Sequence, residues 1–243
     1  MSSRPSIARV HVGNDVVDLG RDRTVDRSSD DRFLGRVLSP DERRAMESSG
    51  DPESDLWSRW AAKEAAFKVV SKELGHPPPF ILRALVVRWA ELPREPIGAR
   101  GSRGGAVSYG DRSIPVRVCR SPGAIHALAA STSAALRDTR AELARLDESE
   151  APWSGGLEEL RGSFTPRELD SIHSESSAAV RLGARHALAQ ALRILPDRVE
   201  IVCKPGPIGV RPPFVLVDGH PSDADVSLSH DGRWVAWSLW IPR

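Results

Sequence analysis

The segment Leu38-Ser39-Pro40-Asp41-Glu42 returns as Phe164-Thr165-Pro166-Arg167-Glu168, and this return constrains the fold more than any other feature. Each copy places a hydroxyl residue in a capping position, proline in the first helical position and an acid in the first turn, which together mark a helix start. What comes next also repeats. A longer helix is expected over 56–74, stopped by Gly75 and the prolines Pro77, Pro78 and Pro79, and its counterpart is an alanine-rich helix over 176–195. Apolar runs of strand length follow each helix, at 85–89, 106–109, 114–118 and 125–130, then at 199–203, 214–217, 226–229 and 234–240. A strand within 7–19 opens the chain and a charged stretch covers 21–31. The Gly/Arg/Ser-rich stretch 98–105 reads as a loop, 139–146 as a polar helix and 147–156 as a linker. The renewed order predicts a diverged internal repeat, with halves at 1–148 and 149–243. Strands that are mostly consecutive favour an α+β fold, each half a small antiparallel sheet packed with helices.

Composition excludes more than it proposes. The chain has 243 residues and a formal net charge of +1, so no overall field draws it to nucleic acid or to an anionic membrane. Aromatic residues make up 5%, and no nucleic-acid-binding module is recognisable. Two cysteines, Cys119 and Cys203, give no disulfide framework and suit a reducing compartment. No apolar run approaches the length of a membrane span. Met1 to Arg9 lack an apolar signal core, and a cytoplasmic location is expected.

Four places carry candidate chemistry. Asp15, in Gly13-Asn14-Asp15-Val16-Val17-Asp18, is a carboxylate inside an apolar strand, which is costly unless it is paired, hydrogen-bonded or bound to a metal; a strand-end aspartate is the plainer alternative. Glu64 and Lys68 are four apart and share one helix face. That spacing also suits a surface ion pair, but Trp60 and Phe67 put Glu64 beside the apolar stripe. His230, in Ser229-His230-Asp231-Gly232, is delivered into a tight turn by an alternating strand, either as a site residue or as an exposed turn residue. The other histidines have no comparable setting. Lys204, before Pro205-Gly206-Pro207, can hold a phosphate as a point charge or stay solvated.

Taken together these segments resemble the 4′-phosphopantetheinyl transferase superfamily, whose signature is a Gly-x-Asp strand followed by a helix with Trp/Phe-x-x-Lys-Glu-x-x-x-Lys. Here the two parts are Gly13-Asn14-Asp15 and Trp60-Ala61-Ala62-Lys63-Glu64-Ala65-Ala66-Phe67-Lys68, with the Ser229-His230 turn as a third feature. The resemblance implies transfer of phosphopantetheine from coenzyme A to a carrier-protein serine. It implies Mg²⁺ on Asp15 and Glu64, Lys68 on the phosphates, and Lys63, Lys204, His230 and Arg233 as coenzyme-binding groups. Arg32-Phe33-Leu34-Gly35-Arg36-Val37-Leu38 looks like the carrier-facing helix of holo-acyl-carrier-protein synthases, which makes Arg32 and Arg36 docking residues toward an acidic carrier.

The length and the repeat resemble the fused form of the family, two units in one chain, but with the histidine half last rather than first. Aligning the halves sets Lys63 and Glu64 opposite Arg185 and His186, Lys68 opposite Gln190, and Ser229-His230 opposite Ser121-Pro122. One complete site is then expected, its carboxylates from the first half and its histidine from the second. Competing readings are a non-catalytic module that binds coenzyme A or a carrier, and an unrelated metal-dependent hydrolase. The retention of Asp15, Glu64 and Lys68 disfavours the first. The hydrolase lacks a His-Glu-x-x-His motif and further acids.

Overall fold

Gly13 shows how the first half is put together. A Cβ there would lie 2.0 Å from the carbonyl oxygen of Ala65, so strand and helix backbones meet with no room for a side chain. The structure, a computed structural model, describes residues 9–90, 101–148, 151–206 and 211–243. The N-terminal residues 1–8, the start of the expected 98–105 loop and the middle of the expected 147–156 linker lie outside them.

In chain order the first unit runs β1 (Val12–Asp18), α1 (Asp31–Val37), α2 (Pro40–Glu47), α3 (Pro52–Leu74), β2 (Val86–Trp89), β3 (Ser102–Tyr109), β4 (Arg112–Ser121), β5 (Ala124–Ala130) and α4 (Ser133–Asp138). The second runs β6 (Arg140–Arg145), α5 (Leu157–Arg161), α6 (Pro166–Leu169), α7 (Glu175–Leu192), β7 (Val199–Val202), β8 (Phe214–Val217), β9 (His220–Pro221), β10 (Asp225–Asp231) and β11 (Trp234–Trp240). Every strand pair is antiparallel. The sheets are ordered β1-β5-β4-β3-β2, β10-β11-β6 and β7-β8-β9, so the α+β expectation holds. No helix among the described residues is long and apolar enough to cross a membrane.

Helix α3 lies on the five-stranded sheet. Trp57, Ala61, Ala65 and Val69 are buried with Val17, Val107, Val116 and Ala127, and the alanines allow the close approach that Gly13 requires. In the second unit α7 buries Ala178, Leu182 and Leu188 against Val199, Ile201, Val226 and Val235.

Two local expectations fail. Residues 139–146 are not a helix: the helix ends at Asp138, and Arg140–Arg145 form β6 beside β11. A sheet edge needing a partner overrides the moderate helix propensity of Arg-Ala-Glu-Leu-Ala-Arg. This pairing puts β6 in the sheet of the residues that follow it, ahead of the 148/149 division. The stretch 98–105 is not loop throughout either, since β3 begins at Ser102.

The repeat is visible as a duplicated buried ion pair. In α2, Glu42 closes a capping box on Ser39, accepts from the Val87 amide at 2.8 Å and from Lys63 Nζ at 2.8 Å, while Lys63 also donates to Val37 O at 2.6 Å. In α6, Glu168 closes the box on Thr165, accepts from the Ile201 amide at 2.9 Å and from Arg185 Nη2 at 2.6 Å, while Arg185 also donates to Ser163 O at 2.6 Å. Lys63 and Arg185 thus do one job in the two units: they fasten the long helix to the short one and to the first strand after it.

The hairpins fix the remaining correspondence. Ser121 pairs with Ala124 as Asp231 pairs with Trp234, so Ala127 and Trp237 take equivalent places. Asp15, opposite Ala127, therefore matches Glu142, opposite Trp237. His230 matches Arg120, not the Ser121-Pro122 pair expected from sequence. The first unit still lacks a histidine at that place.

The units meet along the open edge of β1. Its alternate amides at Val12, Asn14, Val16 and Asp18 donate to alternate side chains of β10: Asp225, Ser227, Ser229 and Asp231, at 2.7, 3.0, 3.2 and 2.9 Å. Side chains rather than a partner backbone satisfy this buried edge. Two lysines one turn apart on α3 bridge the same seam. Lys72 donates to Val12 O and Val226 O, at 2.8 and 2.7 Å, and Lys68 donates to Asn14 O and Leu228 O, at 2.6 and 3.3 Å. The period-two ladder fixes how β10 sits against Asp15 and Glu64.

Candidate active site

Three of the expected residues, Asp15, Glu64 and Lys68, converge on this seam, with His230 on the adjoining strand. Asp15 is 6% exposed. It accepts from Ser229 Oγ at 2.9 Å and lies 3.4 Å from Lys68 Nζ. Burial pushes its carboxyl up, with Lys68 and Ser229 pulling the other way. Glu64, one turn before Lys68 on α3, is pushed up to about 7, first by burial and then by the charge of Asp15. The two carboxylates repel each other, and Lys68 is the ion-pair partner of Asp15.

A third acid adjoins them. Asp231 takes Arg21 Nη1 at 2.6 Å and Arg23 Nη2 at 2.5 Å. Burial raises its carboxyl, but the hydrogen bonds from Arg23, the Asp18 amide and Arg21 win and hold it below the usual range. Behind the strand, His126 is driven down to about 3 by burial and by the charges of Lys68 and Arg117, so it stays neutral beside Asn14.

The raised Glu64 carboxyl has a consequence for stability. The folded state keeps a proton that an ordinary glutamate gives up near 4.5. Its contribution is fully present below that pH and is lost as pH rises through about 7. In metal-free protein, Glu64→Gln should be more stable than the parent at pH 8 by on the order of 2 kcal/mol, and close to it at pH 5. Thermal unfolding at the two pH values checks this.

Beside the carboxylates a cleft of about 500 Å³ opens between the units, with Lys68 and Lys72 on the α3 side and His173, Arg181, Arg211 and His230 on the other. No acid among the described residues lines it. His230 is held below its ordinary value by burial and by the charges of Lys68 and Arg181, so near neutral pH it offers a neutral ring. Arg181 is 6% exposed, and it spends its hydrogen bonds on Ser171, Ser177 and Cys203. Its Nε has no partner, and no carboxylate pairs with it among the described residues. A buried guanidinium left in that state is a place for an anion.

Three expected coenzyme-binding residues are elsewhere. Lys63 is fully buried in its pair with Glu42, because position 63 falls on the helix face toward α2 rather than toward the seam. Lys204 is exposed, with its ammonium 5.2 Å from the Phe214 ring centre, and lines a different cleft with Arg167 and Asp170. Arg233 is half exposed at the hairpin tip, 3.5 Å from Asp18. Arg181, Lys72, His173 and Asp231 were not picked out by sequence. The signal for Arg181 was present: it stands four residues before Arg185, as Arg59 stands four before Lys63.

The second unit's counterparts, Glu142, His186 and Gln190, are exposed and line a separate cleft under Trp153 and Trp237. Among the described residues no strand covers them.

Residues 11–102 match the family model described as the 4′-phosphopantetheinyl transferase superfamily, and over this stretch the chain is similar to that superfamily. Its curated relatives include the holo-[acyl-carrier-protein] synthase of Sodalis glossinidius, 41% identical over 64 residues, or 26% of this chain and 51% of that protein. That of Azoarcus sp. is 38% identical over 66 residues, 27% of this chain and 53% of the relative. The chain thus spans about half the length of the curated relatives it matches. Among solved structures, the holo-[acyl-carrier-protein] synthase (AcpS) from Neisseria meningitidis aligns with a TM-score of 0.35 and 20% identity, over 49% of this chain and 95% of that one.

Proposed function

We propose that this chain transfers 4′-phosphopantetheine from coenzyme A to a serine of an apo carrier protein, releasing 3′,5′-ADP. The observation that carries the proposal is the meeting of Asp15, Glu64 and Lys68 beside a cationic cleft that no acid among the described residues lines.

Two neighbouring carboxylates that repel each other, Asp15 buried and Glu64 half-buried, suit a hard divalent cation, and Mg²⁺ characteristically takes one or two carboxylates and leaves its other positions to water and phosphate. Asp15 and Glu64 would hold it. When bound, Mg²⁺ supplies charge neutralisation for a pyrophosphate and its leaving group.

The chain's own groups account for the rest. Lys68, fixed by Asn14 O and Leu228 O, brings a positive charge to the phosphates with little reorganisation. Arg181 and Arg211, with His230 as a neutral hydrogen-bonding ring, receive the nucleotide phosphates from the second unit. The carrier serine Oγ attacks the phosphorus next to pantetheine as the bond from that phosphorus to the ADP oxygen breaks. The serine proton passes to the Glu64 carboxylate.

The carrier would dock on α1. Leu34 and Val37 face the core, while Arg32 and Arg36, one turn apart, face solvent. Neither forms an ion pair among the described residues, so both are available to an acidic helix. Reversing both charges should weaken carrier affinity by about tenfold or more and leave coenzyme A affinity unchanged. Surface plasmon resonance with an apo carrier, beside a coenzyme A titration, separates the two effects. Calorimetric titration of coenzyme A tests the proposal at the binding stage: one equivalent should bind per chain, and a protein that binds none is not this transferase.

A further inference from the structure

The clefts of the two units differ in whether their cations are paired with carboxylates. The first unit has its own counterpart of the nucleotide cleft, about 580 Å³, lined by Asp51, Asp55, Trp89, Arg103 and Arg120 among others. The correspondence follows from the shared ion pairs and hairpins. Arg59 matches Arg181, each four residues before the buried cation of its helix, and Arg120 matches His230. One turn further back, Asp55 matches Ser177.

In the first unit the two lining cations, Arg103 and Arg120, and the buried Arg59 paired with the lining Asp55 each meet a carboxylate. Arg59 Nε donates to Asp55 Oδ2 at 2.6 Å, with Glu42 Oε1 a further 3.8 Å contact. Arg103 takes the other Asp55 oxygen at 2.8 Å while stacked on Trp89, and Arg120 lies 3.6 Å from Asp51. An arriving phosphate would have to displace a buried carboxylate from a guanidinium. In the second unit the same guanidinium meets the Ser177 hydroxyl at 3.1 Å and that residue's carbonyl at 2.9 Å. It is about as deeply buried, 6% exposed against 4% for Arg59, yet among the described residues its charge is unmatched and its Nε is free of partners.

We infer that the residue one turn ahead of this arginine sets whether the cleft takes an anion, and that serine at position 177, in place of an aspartate, leaves Arg181 free to hold a nucleotide phosphate. Asp55 silences the corresponding place in the first unit. The inference rests on the transferase reading, since it assigns Arg181 to the nucleotide.

Titration of 3′,5′-ADP into the intact chain separates the two. Ser177→Asp should rebuild the intrahelical pair already seen between Asp55 and Arg59. The fold is therefore kept, with a melting temperature no lower than the parent's. Its affinity for 3′,5′-ADP should fall at least about tenfold further than that of Ser177→Asn, which has the same size without the charge. Equal losses in the two variants, or no loss in the aspartate variant, overturn the inference and leave the transferase reading standing. Absence of 3′,5′-ADP binding in the parent chain removes both.

Discussion

Exchanging Glu64 for glutamine should lower phosphopantetheine transfer about a thousandfold or more. Glutamine fills the same space but can neither accept the serine proton nor offer a charged oxygen to a cation. Glu64 sits close enough to Asp15 for their charges to oppose, and in the metal-free protein burial raises its carboxyl to about 7. The exchange also removes the repulsion between this carboxylate and Asp15, and the variant should fold at least as well as the parent above neutrality. A loss of activity with undiminished stability is the signature of a group acting in the reaction. A loss of only a few-fold would remove Glu64 from it. Single-turnover transfer measured beside thermal unfolding reads both quantities.

The neighbouring residue should behave in the opposite way. Lys63→Ala is expected to cost about 3–5 kcal/mol, because it leaves the Glu42 carboxylate buried without its main counter-charge. In a chain of this size that lowers the melting temperature by on the order of 10 °C. Glu42 is 2% exposed and would keep only its backbone donors and Arg59 at 3.8 Å. Well below the new melting point the variant should still bind coenzyme A with an affinity close to that of the parent. Unchanged melting with lost coenzyme A affinity would instead return Lys63 to the nucleotide role that its place in the motif implies.

Glu64 and Lys63 mark what the sequence made legible. The spacing of Glu64 and Lys68 puts them on one face whatever the tertiary context, and Lys72 extends that face by another turn. Gly13 was readable as part of a motif, but its cause, contact with the Ala65 carbonyl, lies in packing. The repeat was readable because capping residues and proline act locally. Direction was the harder matter. Adjacent helix positions point about 100° apart, so Lys63 shares a motif with Glu64 and faces another neighbour. Lys204 and Arg233 stand on loops, where no periodicity fixes orientation, and both turned away from the cleft. Arg181 carries no motif of its own and becomes conspicuous only once its unpaired state is seen beside the paired Arg59. Strand β6 was misread because a tertiary edge outweighed local preference.

The central claim is that the carboxylates and Lys68 of one unit and the cationic wall of the other form a single transferase site. The most direct measurement is the intact mass of an apo carrier protein after incubation with this chain, coenzyme A and Mg²⁺, beside the Glu64→Gln variant and a sample with chelator. The account predicts a gain of one phosphopantetheine with the parent chain and none in the other two samples. No gain with carriers of fatty-acid, polyketide and peptide synthesis alike, under conditions where coenzyme A binds, would contradict it.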